Sequence, residues 1–321
     1  MGTGEFAVPS LEAMHAAGHE ISLVVSQPDR PRGRGLQLRK TAVRVAAERL
    51  DLEVFQPEKL RLEPDRVMEC KAEILVVVAY GQILRENILE CAVRGALNVH
   101  ASLLPRYRGA APIQWAIANG EIETGVTTMQ LDRGMDTGPV LLQKACPIGP
   151  EDTTATLEPR LAALGAALLI DTLAGLASGS VVPQPQDGGA ATRAPLIRKS
   201  DGAVDFTRSA RSIVDRVRGF SPWPGARFHH AGRSVRILSA VALSGGTDNA
   251  TPRGVILGVS RDGVDVACGE GSVLRLQRVQ PESRGEVSAF DFGNGAKLRL
   301  GTVLGGSVPE SPPRGSSAAN D

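Results

Sequence analysis

Apolar and polar positions along the first 180 residues follow a pattern that predicts strands separated by helices. Short apolar, β-branched runs predict buried strands at 20–26, 53–56, 74–80, 96–100 and 125–132. Apolar residues at helical spacing predict helices at 10–17, 42–50, 65–72, 85–92, 112–119 and 154–177. Buried strands joined by amphipathic helices are typical of an α/β domain with a parallel sheet.

The character of the chain changes after residue 180. Residues 181–197 are rich in Pro, Gly, Gln and Ala, which suits a linker. From 198 to 304, a basic helix and then closely spaced β-like runs, such as SVRILSAVAL and SVLRLQRV, predict a small β barrel. The predicted organisation is therefore an α/β catalytic domain at 1–180, a linker at 181–197, a β-barrel domain at 198–304 and a disordered Ser/Pro/Gly-rich tail at 305–321.

Composition narrows the class of protein further. The 321 residues carry a net charge of +1, so any affinity for a polyanion must come from local clusters of basic residues. The four scattered cysteines form no C-x-x-C pair, which indicates neither a disulfide framework nor a zinc site. We see no signal peptide and no apolar run near the ~20 residues that a membrane helix needs. The sequence thus predicts a cytoplasmic protein with no membrane segment and no metal.

The first residues fit a dinucleotide-binding pattern. GTGEFA, at residues 2–7, matches G-x-G-x-x-A, and Asp29 follows the next predicted strand, where a ribose-binding acid would lie. The pattern is informative only after a strand, and only Met1 precedes it here. We therefore favour a turn that enters a helix, with Gly4 permitting a tight backbone, over a nicotinamide or flavin site.

A polar pair ends the predicted strand at 96–100. Asn98 and His100 alternate with Val99, so their side chains share one face of the strand. The Gly-rich stretch LDRGMDTG, at 131–138, carries Asp132 and Asp136. An amide and an imidazolium can stabilise an oxyanion, while a carboxylate can orient the imidazole and move protons. Together these groups make a plausible acyl-transfer site that needs no metal.

A purely structural role for these residues stays open on residue types alone. A histidine at a strand end is often a structural residue, and a Gly-rich Asp loop is often only a turn. A serine nucleophile is less favoured, because Ser102 lies near His100 but no G-x-S-x-G elbow is present.

Longer stretches around the pair resemble a known family. NVHASLLPRYRGAAPIQWAI followed by ETGVTTMQLDRGMDTGPVL is similar to the core of the folate-dependent formyltransferases. VVVAYGQIL, GTGEFAVPSLEAM, QPDRPRGRGLQL and VDFTRSARSIVDRVRGFSPWPGARF extend the resemblance over nearly the whole chain. These stretches indicate the branch of the family that acts on an aminoacylated tRNA.

The resemblance implies a fold and a reaction. The fold is an N-terminal Rossmann-like parallel-sheet formyltransferase domain, with its first strand missing from this chain, plus a C-terminal small OB-like β barrel. Relatives ordinarily begin with that strand, so we expect the native chain to start upstream of Met1. The reaction passes the formyl group of 10-formyltetrahydrofolate, the formyl-donor cosubstrate, to the α-amino group of initiator methionyl-tRNA.

The resemblance also implies the site residues. Asn98, His100 and Asp136 correspond to the family's catalytic trio. The tetrahydrofolate-binding residues that it implies are the turn Ser102, Leu103, Leu104 and Pro105, and the backbone of Tyr80, Gly81, Gln82, Ile83 and Leu84.

Two basic clusters predict how the RNA is bound. The first, which opens with QPDRPRGRG, contributes Arg30, Arg32, Arg34, Arg39 and Lys40. The resemblance implies that this loop recognises tRNA, whereas a solvated charged loop is the plainer alternative. The second cluster, at 193–236, contributes Arg198, Lys199 and Arg216. We predict that Phe220 and Trp223 are packing residues and that Trp115 faces the core.

Other functions stay open beside the tRNA reaction. They are formyl transfer to a small molecule, hydrolysis of formyl-folate, and RNA binding by a catalytically impaired homologue. The basic clusters favour tRNA, since a small acceptor does not require them. We expect a monomer.

Overall fold

The structure, a computed structural model, describes residues 1–32, 37–248 and 250–305. The chain divides into two compact units, Met1–Ile197 and Arg198–Asp321. The segment predicted to be a linker, 181–197, falls inside the first unit. Residues 306–321 of the predicted tail lie outside the described residues.

The first unit alternates strands and helices along the chain, as the sequence pattern predicts. Its strands are β1 (Val24–Val25), β2 (Arg30–Arg32), β3 (Gln37–Arg39), β4 (Val54–Phe55), β5 (Leu75–Val77), β6 (Ala96–His100), β7 (Glu123–Gln130) and β8 (Val140–Pro147). Its α-helices are α1 (Val8–Ala16), α2 (Ala42–Arg49), α3 (Asp65–Met68), α4 (Glu86–Leu89), α5 (Pro112–Ala118) and α6 (Thr154–Ser178).

The sheet of the first unit is parallel at one side and antiparallel at the other. β1 pairs with β4 and β5 pairs with β6, both in parallel, while β7 runs antiparallel to β6 and to β8. The predicted Rossmann-like parallel arrangement is confirmed, but the antiparallel strand β8 was not predicted. Its residues 143–145 are all exposed, so the strand lacks the apolar alternation that marks a half-buried strand.

Met1 and Gly2 connect the two parallel pairs of strands. The Gly2 amide donates to the carbonyl of Val25 at 2.9 Å, and the Val78 amide donates to the carbonyl of Met1 at 2.8 Å. A cavity beyond Met1 is lined by side chains of both flanking segments, including Ile21 and Ile74.

Helix α6 is the core helix of the first unit. Its Leu157, Leu161 and Leu169 have no exposed area, and the helix packs against α1 and β7. By length and composition alone, Thr154–Ser178 is apolar enough to cross a membrane, so the expectation that no run approaches that length was wrong. Short polar interruptions break the apolar run of this helix in the sequence, which is why it was missed. In the fold, the apolar residues of the helix cover the sheet.

The Gly-rich start forms the turn that the sequence predicts. It leads through a 3₁₀ helix, Glu5–Ala7, directly into α1. The tight contact is at Gly2, however, where a Cβ would lie 2.7 Å from the Cβ of Ala7. Gly4 has an ordinary φ of −84° and nothing within 4 Å of a would-be Cβ. The expectation of a special backbone at Gly4 was therefore wrong.

The Asp29 carboxylate holds a loop together instead of facing a ribose site. It accepts hydrogen bonds from the Thr41 amide at 3.2 Å, from Gln56 Nε2 at 2.9 Å and from Arg44 Nη1 at 2.6 Å. Burial raises the pKa of Asp29, but the hydrogen bonds from Gln56 and Thr41 and the charge of Arg44 outweigh it and hold that pKa below its ordinary value. The carboxylate is therefore fully charged and fully engaged at neutral pH.

We expect Asp29→Asn to lower the free energy of unfolding by about 2 kcal/mol at pH 7, since charge-assisted hydrogen bonds are lost. Because the folded-state pKa lies below the unfolded value of ~4, this contribution is complete above that value. It disappears as pH falls through the folded-state pKa, so the difference between the two proteins should be smaller at pH 3 than at pH 7. Urea unfolding at both pH values measures the difference. Glu63→Gln is the control, because it neutralises an exposed acidic residue. A loss of equal size at both pH values would contradict the assignment.

The second unit is an antiparallel sheet with two helices. Its strands are β9 (Arg227–His230), β10 (Arg233–Gly246), β11 (Ile256–Ser260), β12 (Gly263–Ala267), β13 (Ser272–Pro281) and β14 (Val287–Ser288). Its α-helices are α7 (Ala210–Gly219) and α8 (Ala289–Gly295). The strands pair in the order β11-β12-β13-β10-β9, with β14 on β13. This sheet agrees with the closely spaced strands that the sequence predicts for the second domain.

A short C-terminal segment links the two end strands of this sheet. The Ile256 amide on β11 donates to the carbonyl of Thr302 at 2.8 Å. On the other side, the amide of Gly305 donates to the carbonyl of His229 on β9 at 2.9 Å. The sheet therefore closes on itself through residues 302–305, which gives the small barrel that the sequence predicts. Phe228, with no exposed area, lies between Phe206 and Phe292 in its core.

Candidate active site

Strand β6 places Asn98 and His100 at the edge of the sheet where the parallel strands end. Asn98 pairs with Val77 on β5 and with Met129 on β7, and His100 pairs with Thr127 on β7. Asn98 is half-buried, whereas the His100 side chain is only 6% exposed. Ligands of α/β sheets bind beyond the carboxyl ends of such strands, so the pair lies where a substrate can approach.

A tight loop after β7 brings Asp136 to this pair. Asp132 closes the loop by accepting from the Gly134 amide at 2.9 Å and from Thr137 Oγ1 at 2.8 Å. A Cβ at Gly138 would lie 2.0 Å from the carbonyl oxygen of Gln130, so only glycine fits there. Asp136 itself has a left-handed φ of 55°. Aspartate tolerates this conformation better than most residues, at some cost in energy.

The carboxylate, amide and imidazole lie together. Asp136 Oδ1 is 3.5 Å from Asn98 Nδ2, and Asp136 Oδ2 is 3.8 Å from His100 Nδ1. The Gly109 amide donates to Asp136 Oδ2 at 2.8 Å, and this contact was not foreseen from the sequence. The two long separations leave room for movement when substrate binds, since catalytic hydrogen bonds often tighten only then. Sequence reasoning predicted that the three residues meet, and they do; their catalytic roles stay a prediction.

A backbone carbonyl sets the tautomer of His100. His100 Nε2 lies 2.9 Å from the carbonyl oxygen of Tyr107. A carbonyl can only accept, so Nε2 carries a hydrogen and donates it. The other ring nitrogen, Nδ1, is the one that faces Asp136. His100 therefore presents Nδ1 to the reaction, and a second proton there makes it a charged donor.

Hydrogen bonds within the first unit fix the turn after β6. The Ser102 hydroxyl is fully buried and donates to the carbonyl of Arg106 at 2.6 Å, which leaves it no nucleophilic role. The Leu104 amide donates to Thr127 Oγ1 at 3.1 Å, and its carbonyl accepts from Gln143 Nε2 at 2.8 Å. The turn is thus fixed beside the strand that carries the polar pair. Folate binding by Ser102, Leu103, Leu104 and Pro105 stays a prediction.

The segment Tyr80–Leu84 follows β5 at the same edge of the sheet. The Tyr80 ring is 2% exposed in an apolar cluster, and burial raises its pKa to about 12. Its carbonyl already accepts from Thr3 Oγ1 and Gln27 Nε2. Ile83, by contrast, is 88% exposed. Backbone contacts to folate from Gly81, Gln82, Ile83 and Leu84 stay a prediction, whereas the Tyr80 side chain belongs to the core.

The first basic cluster forms a hairpin of β2 and β3 and the residues that follow it. Arg30 and Arg39 are directly opposite each other, both are exposed, and Arg30 forms an ion pair with Glu58 at 2.8 Å. Lys40 pairs with Glu48 at 2.7 Å. Arg34 and the side chain of Arg32 lie outside the described residues. Two like charges directly opposite each other destabilise a hairpin. A bound anion would relieve this repulsion, so the pair suits an anion-binding surface.

The second basic cluster contains both exposed and half-buried residues. Arg198 and Lys199 are exposed at a 3₁₀ helix. Arg216 is half-buried, stacks over the ring of Phe220 at 4.8 Å and donates to the carbonyl of Asp201 at 2.9 Å. These internal contacts weigh against a direct RNA contact for Arg216, whose role stays a prediction.

The predicted aromatic packing residues differ in their surroundings. Phe220 has no exposed area, and Trp115 packs against the core of the first unit, as expected. Trp223 is 58% exposed, so the packing role predicted for it was wrong. Trp223 lies between two prolines in a turn at 221–224, and this turn leaves its ring exposed.

No three His, Cys, Asp or Glu side chains come close enough to hold a metal ion within the described residues. The four cysteines, all of them described, are free thiols.

Family models match both units. One described as formyl transferase matches residues 1–173, and one described as formyl transferase, C-terminal domain, matches residues 196–297. Two similar curated proteins are named methionyl-tRNA formyltransferase. The one from Anaeromyxobacter dehalogenans (strain 2CP-1) is 50% identical over 313 residues, which are 94% of this chain and 98% of that protein. The one from Solibacter usitatus is 47% identical over 308 residues, 95% of this chain and 97% of that protein.

Solved structures of similar fold are more distant in sequence. An N-formyltransferase from Helicobacter canadensis, in complex with folinic acid and dTDP-3-aminofucose, has a TM-score of 0.63 at 18% identity and covers 86% of this chain and 97% of its own. WlaRD, a sugar 3N-formyl transferase, has a TM-score of 0.65 at 17% identity and covers 88% and 97%. At these identities the likeness shows a shared fold.

Proposed function

The chain belongs to the formyl transferase family and is a formyl-transferring enzyme, and we propose that it formylates the α-amino group of initiator methionyl-tRNA with 10-formyltetrahydrofolate as donor. The observation that carries the proposal is the meeting of Asn98, His100 and Asp136 at the end of β6. The product is the formylated initiator used in translation initiation, so we place the enzyme in the cytoplasm. We also propose that it acts as a monomer.

The reaction needs a neutral amine and a stabilised oxyanion. The free α-amino group of an aminoacyl ester titrates near or below ~8, so a neutral fraction exists at pH 7. Its nitrogen attacks the formyl carbon of the donor, and negative charge collects on the formyl oxygen. The Asn98 amide and protonated His100 Nδ1 are donors on one face of β6, and both can reach that oxygen.

Collapse of the intermediate completes the transfer. The bond between the formyl carbon and folate N10 breaks, while the new bond to the amine nitrogen stays. The amine loses one proton and N10 gains one. Asp136, held by the Gly109 amide, orients the His100 ring and relays the proton, through a water where the gap requires it.

Formylation of a charged tRNA tests the proposal. The chain is mixed with initiator methionyl-tRNA and 10-formyltetrahydrofolate. Formyl-methionine is then released from the tRNA by mild hydrolysis and measured. Appearance of formyl-methionine in equal amount with tetrahydrofolate supports the proposal. Release of formate without formylated tRNA would indicate a hydrolase instead.

We propose that Arg30 and Arg39 contact phosphates of the tRNA, because their hairpin presents two opposed, exposed guanidinium groups. Replacing both by alanine should raise KM for the tRNA about tenfold, equivalent to ~1.4 kcal/mol, and leave kcat unchanged. The slope of log KM against log salt should shrink by about one per lost phosphate contact. Arg66→Ala is the control, since Arg66 is also exposed and, like Arg30, forms an ion pair, with Glu53, but lies outside the hairpin. An unchanged KM and salt slope would remove the hairpin from the tRNA interface.

A further inference from the structure

The segment 184–194, here named the strap, crosses the candidate active site within the first unit. It begins where Gln184 and Val140 exchange two backbone hydrogen bonds of 2.8 Å. It ends where the Ala194 amide donates to the carbonyl of Arg108 at 2.7 Å. Between these points it approaches the Asp136 loop and the turn that follows β6. A Cβ at Gly109 would lie 2.5 Å from the carbonyl oxygen of Ala194, so strap and turn are in close contact.

Gln186 ties the strap to the backbone of the Asp136 loop. Its Nε2 donates to the carbonyl of Asp136 at 2.9 Å and to the carbonyl of Gly138 at 2.7 Å. Its Oε1 accepts from Arg108 Nε at 3.1 Å and Nη2 at 2.8 Å. Both donor hydrogens and both acceptor positions of the amide are thus used. The left-handed backbone at Asp136 needs such support, because strained conformations persist only where their surroundings hold them.

Thr192 supports the backbone that contacts the His100 imidazole. Its Oγ1 accepts from the Tyr107 amide at 2.8 Å, and the Tyr107 carbonyl accepts from His100 Nε2 at 2.9 Å. Tyr107 also has a left-handed φ, 59°, and its hydroxyl donates to Glu121 at 2.7 Å. Thr192 therefore fixes the peptide that sets the tautomer and direction of the imidazole.

We infer that Gln186 and Thr192 are positioning residues that hold the Asp136 carboxylate and the His100 imidazole at their working separation. The inference rests on the proposed formyl transfer. Among the described residues, neither side chain hydrogen-bonds to the side chain of Asn98, His100 or Asp136. Each acts through a backbone carbonyl or amide of a left-handed residue. Displacement of a reacting group by about 1 Å can cost ~100-fold in rate. Loss of either support should therefore lower turnover without weakening substrate binding.

Variants of Gln186 test the first half of the inference. Gln186→Leu should lower kcat by about 10- to 100-fold, with KM for both substrates within about twofold of the parent. Gln186→Glu should lose as much, because a carboxylate cannot donate to the two carbonyls. Gln184→Leu is the matched control in the same strap, since among the described residues its exposed side chain hydrogen-bonds only to the carbonyl of Val182, just before the strap. Thermal unfolding confirms that each variant is folded. Full kcat in Gln186→Leu, or a rise in KM alone, would overturn the role of Gln186.

Variants of Thr192 test the second half and include a rescue. Valine is nearly the same size as threonine but lacks the hydroxyl acceptor, so Thr192→Val should lower kcat by a factor similar to that expected for Gln186→Leu. Thr192→Ser keeps the hydroxyl and should have the kcat of the parent. Equal loss in both variants, or none in Thr192→Val, would overturn the role of Thr192.

A measurement without substrate separates this inference from the proposed function. At alkaline pH, where the imidazole is neutral, nitrogen-15 chemical shifts of the His100 ring, assigned with a His100→Gln variant, should report the Nε2–H form in the parent and in Thr192→Ser. Thr192→Val should show a mixture of tautomers. If the parent fails to formylate tRNA but these shifts hold, the proposed function fails and the positioning role stands. Unchanged shifts in Thr192→Val would contradict it.

Discussion

His100→Gln should lower kcat for formyl transfer by at least about 100-fold, or ~2.7 kcal/mol of barrier, while the protein stays folded. Glutamine can still donate to the Tyr107 carbonyl, but it cannot carry the positive charge that His100 Nδ1 presents to the developing oxyanion. The effect should fall on kcat, since this charge matters most in the transition state. Single-turnover rates with saturating substrates measure it.

Asn98→Ala extends the same prediction to the second donor. Loss of one oxyanion donor typically costs ~100-fold or more. The double variant should lose less than the product of the two single losses, because both donors serve one oxygen. Thermal unfolding provides the control for folding. Near-normal turnover in both single variants would remove Asn98 and His100 from the mechanism.

Asp136→Asn should have the second large effect, a fall in kcat of about 100- to 1000-fold. The asparagine oxygen can still accept from the Gly109 amide, so the loop keeps its shape. The negative charge that faces His100 Nδ1 is lost, and with it the carboxylate that orients the imidazole and relays the proton.

The same loop offers a matched control for this prediction. Asp132 closes the loop through the Gly134 amide and Thr137 Oγ1, contacts that an asparagine oxygen can largely keep. Asp132→Asn should therefore retain kcat within a few-fold of the parent. If both variants lost turnover equally, the effect would come from the loop and not from the Asp136 charge.

Sequence patterns predict the first unit well where apolar periodicity is strong. The strand at 96–100 has the bounds that the alternation predicts, and the helix predicted at 154–177 extends by one residue to Ser178. The strand predicted at 20–26 shrinks to Val24–Val25, since only these two residues pair regularly with β4. β8 escaped prediction because its exposed middle carries no alternating pattern. Local periodicity thus predicts buried strands and misses edge strands.

The meeting of Asn98, His100 and Asp136 could be predicted because side-chain alternation on a strand and two loop glycines leave a signal in sequence. The strap could not, since its Pro/Gly/Gln-rich composition resembles that of a linker. Gln186 and Thr192 act on backbone groups that long-range folding brings near, at sequence separations of 50 and 85 residues. Such contacts have no local pattern. Trp223 shows the same limit, because burial depends on neighbours that the local sequence does not reveal.

The most direct test of the central claim is a competition between acceptors. The chain receives 10-formyltetrahydrofolate together with initiator methionyl-tRNA and, in parallel, with a small primary amine or no acceptor. We expect formyl-methionyl-tRNA and tetrahydrofolate in equal amounts with the tRNA, and little turnover otherwise. Formyl transfer to the small amine but not to the tRNA, or formate release as the main product, would contradict the account.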